Sequence, residues 1–93
     1  MSHSKTKTSF YRRIYIAYLI DRDCNTVPAI TAATGMPRRT AQDTIKALAE
    51  LNIECEFVGA NKDGRYIINN WGAIDRVWVK NNAAMIKLVL SYP

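Results

Sequence analysis

Apolar residues recur along this chain with a helical period at both ends and with an alternating period once between them. In "SFYRRIYIAYLID", residues 9–21, Tyr11, Ile14, Tyr15, Tyr18 and Leu19 fall at i, i+3, i+4, i+7 and i+8. That spacing predicts an amphipathic helix with a broad aromatic and aliphatic face, and it makes the tyrosines core residues rather than base-stacking groups. "DRDCNT" breaks the pattern. Thr26 is suited to cap a short helix over "PAITAAT", with Val27 and Pro28 in its first turn, where the missing proline N–H does no harm. Gly35, free to adopt positive φ, ends it. Pro37 opens a third helix, residues 37–51, with Ala41, Ile45, Leu48 and Leu51 as its buried stripe.

Past Asn52 the period changes. "IECEFV" sets Ile53, Cys55 and Phe57 against Glu54 and Glu56, as in a half-buried strand. "GANKDG" is a turn-rich loop and "RYIIN" the returning strand, so residues 59–65 form the tip of a hairpin. "WGAID" connects to a last helix through "RVWVKNNAAMIKLVL", which Asp75 is placed to cap. The first eight residues, "MSHSKTKT", are polar and basic, and predict a flexible arm. Three segments follow: the arm (1–8), a helical domain with its hairpin (9–73) and a C-terminal helix (74–93).

A chain of 93 residues has room for one modest core. Its formal charge of +5 favours an anionic partner such as nucleic acid. The excess is uneven: Lys5, Lys7, Arg12 and Arg13 open the chain with no acid among them, whereas Glu50, Glu54 and Glu56 make its middle acidic. The cysteines, Cys24 and Cys55, stand far apart, and the one histidine, His3, lies in the polar start. That argues against a metal site, which needs about four ligands, usually in close pairs. No apolar run approaches the roughly 20 residues that span a bilayer, and no secretory signal precedes the domain. The expectation is a cytoplasmic protein with reduced thiols, no cofactor and no membrane or metal partner. No grouping of His, Cys or carboxylate suggests a nucleophile or base, so it is expected not to be an enzyme.

The informative stretch is "ATGMPRRTAQDTIKAL". Two adjacent arginines begin a helix directly after a tight turn, against the helix dipole, at a cost of about 0.3–1 kcal/mol each. An anion bound there reverses that cost. Helix, short helix, turn, helix and hairpin is the order of a winged helix-turn-helix, whose second helix presents its N-terminal residues to the major groove. Arg38, Arg39, Gln42, Asp43 and Lys46 are then candidates for base or phosphate contact. Lys62 and Arg65 on the wing, and Lys5 and Lys7 on the arm, are candidates for the phosphate backbone.

"ATGMPRRTAQDTIKALAELNI" also resembles the core of a small bacterial family of stand-alone winged helix-turn-helix proteins, presumed to bind DNA. The likeness runs over nearly all of residues 9–92, including "RYIINNWGAID" and the long last helix. It implies a mainly α fold with a small β-hairpin, and double-stranded DNA as partner for a transcription regulator. One departure is Thr31, where a small alanine often packs between the two helices; its hydroxyl needs a carbonyl of its own helix. A different reading keeps the winged helix but gives it a protein partner, since Asp43 and the three glutamates would repel phosphate if they faced it.

The last helix carries more apolar surface than docking requires. Val79, Ala83, Ile86 and Leu90 suffice to seat it, yet Trp78, Met85 and Val89 form a second stripe, interrupted by Asn82. A helix apolar on two faces is usually buried on two, which leads to the expectation of a homodimer. The alternative is that the first helix covers both stripes within one chain.

Overall fold

Among the described residues, the helices and strands follow in the order α1 (Lys5–Asp21), α2 (Val27–Thr34), α3 (Arg38–Ala47), β1 (Glu54–Val58), β2 (Arg65–Asn70) and α4 (Arg76–Val89). The computed structural model describes residues 3–60 and 62–93. β1 and β2 pair antiparallel as a two-stranded wing, so the fold is a winged helix-turn-helix with an added C-terminal helix.

Helix α1 lies between two halves of the core. Ile16, Ala17 and Ile20 pack with Val27, Ile30, Ala41, Ile45 and Leu48 of the helix-turn-helix. Ile14, Tyr15 and Leu19 pack with Val79, Ala83 and Ile86 of α4. The buried surface of α1 is therefore wider than its tyrosine stripe suggests, and Tyr11 and Tyr18 are only half-buried at its edge. Each large aliphatic side chain so buried contributes roughly 1.5–3 kcal/mol, which is why one long helix can hold both halves together.

Helix α1 takes up residues 5–8, which composition assigned to a flexible arm. α1 begins at Lys5 because Ser4 caps it, its side chain accepting from the Lys7 N–H at 3.1 Å. The Thr8 hydroxyl also donates to the Ser4 carbonyl at 3.1 Å. Local capping outweighs the polar composition that suggested an arm to residue 8. Met1 and Ser2, also assigned to that arm, lie outside the described residues.

Helix α2 and the turn that leads to α3 are tied at several points. Thr26 accepts from the Ala29 N–H at 3.2 Å. Gly35 adopts φ 77° and donates its N–H to the Thr31 carbonyl. Thr34 is buried; its hydroxyl donates to the Ile30 carbonyl at 2.8 Å and accepts from the Met36 N–H at 3.2 Å. Thr31, the departure noted above, donates to the Pro28 carbonyl at 2.9 Å and so needs no partner in α3.

The α-helical part of the predicted 37–51 helix ends at Ala47. Leu48–Leu51 tighten into one 3₁₀ turn, and Asn52 follows at φ 59°. The Ile53 N–H then bonds back to the Leu48 carbonyl, and this reversal brings both side chains into the core. Gly72, at φ 59°, passes so close to this corner that an added Cβ would stand 2.4 Å from the Asn52 carbonyl oxygen. Only glycine fits that crossing.

Asp75 caps α4, accepting from the Val77 and Trp78 N–H groups at 2.9 and 3.2 Å. The seating stripe is as expected, with Val79, Ala83 and Ile86 buried and Leu90 half-buried. Of the second stripe, Trp78 is 43% exposed and Met85 37%, whereas Val89 is half-buried; Val77 at 63% and Leu88 at 79% extend the uncovered face on the side away from Val89.

Candidate nucleic-acid interface

α3 is sharply two-sided. Ala41, Thr44 and Ile45 are buried, while Arg38, Arg39, Gln42, Asp43 and Lys46 are exposed. Pro37 precedes the first turn and supplies no side-chain cap, so the N-terminal N–H groups and two guanidinium groups meet at one helix end. An open groove of about 880 Å³ separates this row from the base of the wing, where Ile53, Cys55 and Tyr66 form the facing wall. All five predicted α3 residues line it. The Arg39 guanidinium lies 4.0 Å from the Asp43 carboxylate with both side chains largely exposed. Such a pair adds little stability and leaves Arg39 able to reach elsewhere.

The wing divides its side chains by register. Cys55 pairs with Ile68 and Phe57 with Tyr66, whereas Glu56 pairs with Ile67 and Val58 with Arg65. Cross-strand partners share a face. Since Cys55 and Tyr66 line the groove, Arg65 lies on the opposite face, with Glu56. Lys62 is exposed at the tip. Phe57, expected on the buried face, is on that face but remains 49% exposed because it projects beyond the core; its ring meets Tyr66 edge-on at 5.0 Å. The Tyr66 N–H donates to the Asn25 carbonyl at 2.8 Å, fixing the wing to the α1–α2 connection.

A third basic element emerges only from the packing. Ser9 and Arg12 of α1 border a cleft with Thr40, Asp43 and Thr44 of α3. Lys5, Ser9 and Arg12 stand at i, i+4 and i+7, so one stripe of α1 runs alongside α3. Lys7 falls on another stripe; its ammonium lies 5.5 Å from the Tyr11 ring centroid. Arg13 is engaged by Glu50 at 3.5 Å, which neutralises one of the acids that argued against a phosphate partner. Arg12, Arg38, Lys46 and Lys62 have no ion-pair partner among the described residues. Arg12 and Thr40 are thus interface candidates that sequence reasoning did not single out; the spacing from Lys5 to Arg12 was the available signal.

Cys24 and Cys55 are both unpaired thiols. Burial first, and the neighbouring Glu56 charge second, push the Cys55 thiol from 9.0 up to about 11. The thiolate at pH 8 is therefore about a hundredfold scarcer than for an ordinary thiol, and alkylation by iodoacetamide should be slower in about that proportion than in the urea-unfolded chain. The sign for stability follows. The folded state favours the neutral thiol, so this contribution is whole below pH 9 and is lost as pH rises through about 11. Equal alkylation rates for folded and unfolded chain would contradict both statements.

Residues 5–90 match the model of a family described as winged helix-turn helix. Among solved structures, the chain resembles a DUF2131 family protein from Shewanella amazonensis at 36% identity and TM-score 0.88. The likeness covers 98% of this chain and 91% of that one. Comparison with curated proteins gives no match.

Proposed function

We propose that this chain, which belongs to the winged helix-turn-helix family, binds double-stranded DNA by sequence, with α3 in the major groove and the wing along the backbone. On this reading it is a bacterial, cytoplasmic transcription regulator that acts as a homodimer through α4 and performs no catalysis. The observation that carries the reading is the open groove lined by Arg38, Arg39, Gln42 and Lys46, with Arg12 of α1 on the adjoining cleft.

Roles follow from position. Arg39 and Gln42 lie one turn apart on the exposed face of α3, where a guanidinium matches guanine O6 and N7 and an amide matches adenine. Asp43 either orients Arg39 or accepts from a cytosine amino group. Arg38, Lys46 and Arg12 take phosphates on the two sides of the helix, and Lys62 takes one from the wing; Lys5, at the start of α1 and outside the cleft, contributes less. Arg65 and Lys7 lie off these lines and contribute less.

Selection of bound sequences from random duplexes tests the proposal. One motif should be enriched, and Arg39→Ala or Gln42→Ala should lose preference at single positions of it, costing roughly 1–3 kcal/mol. Lys62→Ala should weaken every sequence about equally, and Arg65→Ala less than Lys62→Ala. A folded protein that enriches no motif leaves the protein-binding winged helix as the better reading.

A further inference from the structure

A second recess lies away from the α3 groove, where the end of α1, the exit of the wing and the start of α4 meet. It holds about 400 Å³ and shares no lining residue with that groove. Its walls are aromatic: Tyr18 on α1 and the half-buried Trp71 just after β2. Its polar groups are unequal in sign, with Arg22, Arg76 and Lys80 set against the single carboxylate of Asp21.

These charges are differently engaged. Arg76 is taken by Asp21, its Nε donating at 2.8 Å, and this pair fixes the first turn of α4 to the last turn of α1. Arg22 folds back over its own helix. Its guanidinium donates to the Tyr18 hydroxyl and stands 5.3 Å from the Tyr18 ring centroid. It is thus held at the recess rather than sweeping through solvent, so little rotamer freedom remains to be lost when an anion docks. Lys80 has no acidic partner among the described residues. Aromatic walls, a few convergent polar groups and a volume of several hundred Å³ are the usual attributes of a small-molecule site. One net-positive side and two rings narrow the ligand class.

We propose that this recess binds a planar aromatic carboxylate, its ring held by Trp71 and Tyr18 and its carboxylate held by Lys80 and Arg22. The ligand would join α1, the wing exit and α4. The proposal does not depend on DNA binding.

The test is two-dimensional NMR on the full chain, with indole-3-carboxylate, neutral indole and inorganic phosphate as probes. Indole-3-carboxylate should shift the Trp71 side-chain N–H and the Arg22 Nε–H saturably, with a Kd of about 0.1–1 mM. Indole and phosphate should each bind at least about tenfold more weakly, because each supplies only half of the match. Lys80→Gln and Arg22→Gln, both at exposed positions, should each raise the Kd about fivefold to tenfold. No saturable shift up to about 10 mM indole-3-carboxylate overturns the proposal. So does binding of indole or phosphate as tight as that of the carboxylate, or an unchanged Kd in both variants.

Discussion

Raising salt from about 50 to about 200 mM is expected to lower the DNA affinity of each bound protomer roughly a hundredfold. Arg12, Arg38, Lys46 and Lys62 are the cations that no acid of the described residues engages and that border the α3 groove, its flanking cleft or the wing tip. Each phosphate they neutralise releases counterions and contributes about −0.9 to the slope of log K against log salt. About four contacts give a slope near −3.6 for one protomer, and a two-fold pair about twice that. Fluorescence anisotropy with a labelled duplex reads the slope directly. Arg12→Ala should reduce it by about one per protomer, which would establish α1 as part of the interface. A slope near zero, or no binding at low salt, removes DNA as the partner.

That Arg12 enters this count shows where sequence reading stops. Its charge was plain, but only the packing of α1 beside α3 sets it next to Thr40 and Asp43. Capping and turn residues, by contrast, act through their nearest neighbours. Thr26, Gly35 and Asp75 were legible because their hydrogen bonds close within about one helical turn. The same logic governs the start of α1: Ser4 is as good a cap as Thr26, and its bond to the Lys7 N–H outweighs the polar composition around it. Arg65 shows a third kind of limit. Alternation separates two faces of a strand, but the pairing that places Val58 opposite Arg65 depends on how residues 59–64 turn. In α1, a stripe of tyrosines drew one face, whereas Ile16, Ala17 and Ile20 are buried because a second body packs on the other side. Periodicity locates a face; it does not count the faces that find partners.

The α4 surface raises that question of partners again, and the expected answer is a second copy of the chain. Sedimentation equilibrium at micromolar concentration should give the mass of a dimer. Val77, Trp78, Met85 and Leu88 leave an apolar patch on the order of 400 Å², the size at which an exposed patch ordinarily marks an interaction site. Arg76, Lys80 and Lys87 fall together on a neighbouring stripe, so no charged residue interrupts the patch itself. The polar residue within the patch is the exposed Asn81, at i+4 from Val77 and i−4 from Met85, whereas the half-buried Asn82 at its edge donates its amide to the Trp78 carbonyl at 2.8 Å. Antiparallel pairing about a two-fold axis would set Val77 and Trp78 of one protomer against Met85 and Leu88 of the other and leave the cations at the margin. Two such patches and their borders bury an area at the low end for stable complexes, hence a dissociation constant nearer micromolar than nanomolar. The pair would also present two recognition helices to half-sites about one helical turn, ~34 Å, apart. Trp78→Glu and Met85→Glu should each yield folded monomer, because both side chains lie outside the stripe of Val79, Ala83 and Ile86 that seats α4 on α1. Circular dichroism matching the parent would verify the fold, and DNA affinity should drop toward that of a single half-site. A wild-type monomer at micromolar concentration refutes the pairing, as does a dimer that survives both substitutions.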